Sequence, residues 1–257
     1  MIRLTVARLF RGHLVAIILF GVVHLLVVAG DYGGPRPLLA FSPLFRLTDE
    51  GNLPSLFSAL ALAACALVAV RIAQSSALRA GEARGWRLLA GVFGFVALDE
   101  ATQLHEVLSR FGAALGTSGP LLFAGAFPYA AVAVALAVVL HRFWFEQSRA
   151  VRRGIAVAGL LYVAAAVGLE APENLMLDRG LGMYDLRLAP FHAAEELGEM
   201  AAAALFLRGF LLRFVELGGG PLLALVGERP IMAVAIVPES EIVDAPDPVA
   251  MEARKKR

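Results

Sequence analysis

Cysteine is almost missing: Cys65 stands alone in 257 residues, which excludes an internal disulfide framework and a cysteine-rich zinc or iron–sulfur site. Charge is scarce too. Only 18% of residues are charged and the net charge is +1, so nothing points to nucleic acid as a partner. Soluble domains carry about 25% charged and roughly 45–50% apolar residues; here 59% are hydrophobic and the mean hydropathy is +0.72. That combination excludes an ordinary soluble fold and implies several membrane spans. A third scarcity is local. Three acidic clusters lie within apolar runs, and no lysine or arginine falls between the first and last acid of any of them.

Six apolar runs approach the ~20 residues that a spanning helix needs: Leu14–Gly30, Leu53–Ala73, Trp86–Leu108, Pro120–Leu140, Gly154–Leu177 and Pro190–Leu212. Asn52 before Pro54, Ser118 before Pro120, and Pro190 read as helix starts. Pro128 and Pro172 fall inside the fourth and fifth runs and predict kinks. The first run, behind Arg3, Arg8 and Arg11, exceeds the ~7–15 residues of a signal-peptide core and reads as a true span. Basic residues crowd the N-terminus, the connections around 71–87 and 142–153, and the end of the chain. By the positive-inside rule both termini are cytoplasmic. The expected architecture is therefore all-α: a six-helix polytopic bundle over residues 1–217 in the bacterial inner membrane, with a cytoplasmic tail, partly disordered, over 218–257. Two short apolar pieces of that tail, Pro221–Val226 and Ile231–Val237, either pack on the bundle or lie at the membrane surface.

An ionisable group inside a span costs about 2.5–3.5 kcal/mol on insertion scales and marks a functional site by default. The third span carries Asp99, Glu100, His105 and Glu106; the fifth carries Glu170, Glu173 and Asn174; the sixth carries His192, Glu195, Glu196 and Glu199. At ~100° per residue, Asp99, Thr102, Gln103 and Glu106 share one stripe. So do Glu170, Glu173 and Asn174, and so do the four residues of the sixth span. The expected topology puts all three clusters in the outer half, with Asp99 and Glu199 roughly 12–14 Å below the outer boundary. His24 and the Asp49–Asn52 segment occupy the same layer. Taken singly, Glu106 or Glu173 reads as a wetted residue at a helix end, and His24 as a hydrogen-bonded structural histidine. Asp31, Asp178 and Asp185 read as solvated loop charges.

Carboxylates gathered in one apolar layer need protons or cations to neutralise them. Carboxylates on three helices with an imidazole form the ligand set of di-iron and di-manganese bundles, although the Glu-x-x-His spacing is missing here. The expected metal ligands are Asp99, Glu106, Glu170, His192, Glu196 and Glu199, holding Fe, Mn or Zn. His105 or Glu195 would serve as general base to a metal-bound water, whose pKa can approach 7.

Three pieces of the chain carry a resemblance: Asp49-Glu50-Gly51-Asn52-Leu53-Pro54-Ser55-x-Phe57-Ser58, Leu98-Asp99-Glu100-x-x-x-x-His105-Glu106, and Leu169-Glu170 with Glu195-Glu196-x-x-Glu199. Through them the chain resembles a group of bacterial multi-spanning proteins with an LDE-x-x-x-x-HE motif and no established activity. The resemblance covers roughly residues 40–212 and supports the topology and the choice of residues rather than a reaction. A looser likeness, the idea of a helical bundle holding zinc, connects it with alkaline ceramidase and progestin/adiponectin receptor-like hydrolases. Those use three histidines with Ser and Asp in a different spacing.

The resulting expectation is metal-assisted hydrolysis or oxidation of a lipid-phase substrate at a periplasm-side centre, with membrane lipids as surroundings. Two alternatives use the same carboxylates: a cation or proton transporter, and a structural subunit whose acids meet a partner's basic residues.

Overall fold

The computed structural model describes residues 2–31, 42–49, 51–104, 107, 126–182, 185–221 and 234–240, with backbone only at 2–3, 126–130, 170–171, 174, 178, 221 and 234. Within these, the chain is almost wholly helical. Its long elements are α1 (Val6–Asp31), α3 (Leu53–Ala73), α4 (Ala80–Thr102), α5 (Ala126–Val139), α7 (Arg149–Ala166) and α9 (Ala189–Glu216). Short helices α2 (Ser42–Phe45), α6 (His141–Glu146) and α8 (Glu170–Asp178) sit in the connections. Two helices, α1 and α3, are long and apolar enough to cross a membrane.

Local chemistry sets several of these boundaries. Asn52 caps α3: its side-chain oxygen accepts from the Ser55 amide at 3.1 Å, and Pro54 occupies the first turn, where a missing N–H costs nothing. Pro190 does the same for α9. The third apolar run stops earlier than its composition suggests. Gln103 takes a left-handed conformation (φ 57°) and its amide closes onto the Asp99 carbonyl, so α4 ends at Thr102. The expected stripe through Gln103 to Glu106 is therefore broken at its middle. Proline at 172 acts as expected, but the break falls ahead of it, across 167–169, and separates α7 from α8. Gly168 permits this turn, since a Cβ there would stand 2.5 Å from the Ala164 carbonyl oxygen.

Helix α9 is the axis of the fold. It packs against α7, α3 and α1, while α4 lies along α3. The core is aromatic: Trp86 meets Phe143 and Phe210 edge-on with centroids 5.4 and 5.0 Å apart, and Phe93 meets Phe206 and Phe210 in the same way. At the inner end, named for the basic connections, Arg213 is nearly buried against Glu82 at 2.6 Å and also holds Glu216 at 3.0 Å. Ser148 donates to Glu216 at 2.7 Å, so these contacts tie α4, α7 and α9 together. The second tail piece packs on the bundle. Its strand β3 (Val234–Ile236) runs parallel to β1 (Ile2–Leu4) and antiparallel to β2 (Gly220–Pro221), and Ile236 is buried in the core. For residues 234–237 the alternative resolves to packing, while 231–233 and 222–226 lie outside the described residues.

The outward faces are apolar. On α1, Val15, Ile18, Leu19, Val22, Leu25 and Leu26 are 48–65% exposed and recur at i, i+3, i+4 and i+7, one continuous helical stripe. Helix α7 exposes Val157, Leu160 and Val163, and α5 exposes Val132, Val134, Val138 and Val139.

Candidate metal centre

The end of the bundle opposite the Arg213 pair collects most of the other buried polar groups. Short α8 folds back against the start of α9 and brings the Glu173 carboxylate onto His192: Oε2 lies 2.9 Å from Nδ1. Both side chains are about nine-tenths buried or more. The carboxylate can only accept, so Nδ1–H donates, and a neutral His192 keeps its lone pair on Nε2. Among the described residues, neither His192 Nε2 nor Glu173 Oε1 has a hydrogen-bond partner, and both are buried. Leaving such atoms unmade costs on the order of 1–3 kcal/mol each.

Glu195, one turn along α9 from His192, completes the group. One donor atom each from Glu173, His192 and Glu195 lies within 4.8 Å of the others. Around a ~2.1 Å metal bond, tetrahedral donors stand about 3.4 Å apart, so the set would need to contract by little more than 1 Å. Among the described residues this is the group with three such donors in reach of one another. Its carboxylate-and-imidazole chemistry suits Zn, Mn or Fe.

The expected ligands are divided. His192 lies in the triad. Glu195, expected as a general base, stands among the potential ligands. Asp99, Glu196 and Glu199, together with Glu100, lie within electrostatic reach of the Tyr162 hydroxyl on α7, a second acidic neighbourhood at the same end of the bundle. His105 and Glu106 lie outside the described residues, as does the side chain of Glu170. The reading of Glu173 as a wetted helix-end residue is corrected: it is 5% exposed, because α8 tucks inward instead of extending α7. Tyr162 was missed altogether, and only its position on the helix preceding the Leu169-Glu170 piece hinted at it.

A third polar set joins α1 to the segment before α3. His24, 1% exposed, accepts the Leu47 amide on Nδ1 at 3.1 Å. Arg46 lies within its electrostatic reach, as do His192, Asp31 and Asp49. Arg46 pairs with Asp31 at 2.7 Å and with Asp49 at 3.4 Å, so Asp31 is an ion-pair partner rather than a lone loop charge. Asn52 anchors the same turn through the Arg46 and Asp49 carbonyls.

Residues 14–214 match the family model described as a domain of unknown function, DUF8692. The chain belongs to the DUF8692 family. The DUF8692 match begins inside α1 and runs almost to the end of α9, so it takes in His24, Glu173, His192 and Glu195. Comparison with curated proteins and with solved structures returned no match. The family description assigns no reaction, and the geometry must carry the functional reading.

Proposed function

We propose that this DUF8692 protein is a six-span inner-membrane protein with both termini cytoplasmic. Its outer-half pocket holds a transition metal through Glu173, His192 and Glu195. The observation that carries the metal is the gathering of one donor atom each from Glu173, His192 and Glu195 within 4.8 Å of one another, with Glu173 and His192 buried. The exposed apolar stripes of α1, α5 and α7 support the membrane reading, since soluble monomers rarely expose contiguous apolar patches beyond a few hundred Å².

The activity that fits is metal-assisted hydrolysis of a lipid-phase substrate, or its oxidation where the metal is redox-active. A metal held there would polarise a substrate oxygen or acidify a bound water. The protein contributes an imidazole oriented by a buried carboxylate, and further carboxylates around Tyr162 to accept protons.

Transport is the runner-up, favoured by the break at 167–169 beside the acids, since interrupted helices are common at transport sites. The core below the acids opposes it. Along α4 the order is Asp99, Phe93, Trp86, Glu82; along α9 it is Glu199, Phe206, Phe210, Arg213. An aromatic cluster therefore fills the roughly 21 Å between Glu199 and the buried Arg213 pair.

The test is elemental analysis of the full chain purified in mild detergent, followed by melting with and without chelator. Bound metal should stabilise by about 2.7 kcal/mol at a hundredfold excess over Kd. Chelation should lower the melting temperature, and add-back of the correct ion should restore it. A metal-free protein indifferent to chelator and to added Zn, Mn and Fe would end the metal reading.

A further inference from the structure

His24 is a buried titratable side chain that the metal triad does not use. Its tautomer follows from one hydrogen bond. The Leu47 N–H donates to Nδ1 at 3.1 Å, and a nitrogen that accepts carries no proton. Neutral His24 therefore holds its proton on Nε2. That atom is buried with no partner among the described residues, in a side chain 1% exposed. An N–H cannot ligate a metal without losing its proton, and a buried N–H without an acceptor costs on the order of 1–3 kcal/mol.

Packing places this donor at the same level as the triad. Helices α1 and α9 meet closely at Gly21, where a Cβ would stand 3.1 Å from Leu197 Cδ1. From that crossing, His24 lies three residues outward on α1 and His192 five residues outward on antiparallel α9, and the two rings are within electrostatic reach. The remaining charges facing His24 are Arg46, Asp31 and Asp49, with Arg46 engaged by both acids.

We propose that His24 is the pocket's fixed hydrogen-bond donor, whose Nε2–H holds an acceptor oxygen of the molecule bound beside His192. This role rests on the metal reading for what sits beside His192, and it assigns His24 to substrate rather than to the metal. The substrate class is one with an exposed acceptor oxygen, such as a carboxylate or an ester carbonyl, and it recognises no purely hydrocarbon molecule.

Histidine-ring 15N NMR on the full chain in micelles tests it, with His24→Gln assigning the signal. The expected spectrum has Nδ1 unprotonated and Nε2 protonated, unchanged on adding Zn2+, while the His192 Nε2 signal moves. Acetate and oleate are the probes, a soluble and a lipid-borne carboxylate. Either should shift the His24 Nε2–H resonance, and a response to oleate alone identifies a lipid-borne ligand. His24→Phe should weaken the responding probe's binding at least about tenfold, as loss of a hydrogen bond to a charged group implies. His24→Gln, which keeps an amide donor, should weaken it less. A proton on Nδ1, loss of the Nε2 proton on adding Zn2+, or silence towards both probes would overturn the proposal. Absence of any Zn2+ effect at His192 would sink the metal reading instead, and the tautomer and probe response of His24 would still be read directly.

Discussion

Removing either half of the Glu173–His192 pair should strand the other in the bundle. The partners are 2.9 Å apart with side chains only 6% and 10% exposed, so water cannot replace the lost contact. Breaking a buried pair from one side costs about 3–5 kcal/mol. At roughly 2–4 °C per kcal/mol for a domain of this size, Glu173→Ala and His192→Ala should each lower the melting temperature by about 6–20 °C. The measurement is made with chelator present, so that only the pair is read. Glu173→Gln keeps an acceptor for Nδ1–H and should cost nearer 1 kcal/mol. The double variant Glu173→Ala/His192→Ala should cost much less than the sum of the singles, because neither group is then left stranded. Tryptophan fluorescence suits the melt, since Trp86 is fully buried in the core. Two single variants that melt within about 1 °C of wild type, or a double variant that is simply additive, would refute a buried, coupled pair.

Topology and a surface carboxylate give two further tests. Reporter fusions after Gly116 and Gly180 should read periplasmic and those after Gly81 and Ser148 cytoplasmic; the inverse pattern would move the carboxylate layer to the cytoplasmic side. In the loop before α9, Arg187 chelates the Asp185 carboxylate through contacts of 2.9 and 2.8 Å and holds its pKa down to about 2. Because the folded value is depressed, any stabilisation is present above the ordinary carboxylate range and fades as pH falls through about 2. Carboxyl 13C titration should show Arg187→Ala moving the Asp185 midpoint up towards that range, the position-187 amide still donating to Oδ1, and an unmoved midpoint would contradict the assignment.

Much of the helical framework was legible from local signals. Asn52 and Pro54 fix the start of α3, and Pro190 that of α9, because caps and first-turn prolines act within one turn of themselves. What local chemistry does not encode was missed. Nothing at Gln103 announces a left-handed residue, so the stripe from Asp99 to Glu106 was drawn through a helix that ends at Thr102. Pro172 announced a break but not that α8 would fold inward and bury Glu173. Arg213 pairs with Glu82 from 131 residues away, a contact that no local pattern encodes. The acidic layer itself was visible because unpaired acids in apolar runs are costly. Its division into a triad and a set around Tyr162 depends on how α7, α8 and α9 pack, which spacing along one chain does not specify.

The central claim is that Glu173, His192 and Glu195 act as one metal site. Metal content per chain, measured by plasma mass spectrometry on wild type, on Glu173→Gln, His192→Ala and Glu195→Gln, and on their pairwise combinations, addresses it most directly. The account predicts a fixed stoichiometry in wild type, a sharp loss in each single variant, and little further loss in the doubles. Equal metal content in wild type and all three single variants would contradict it.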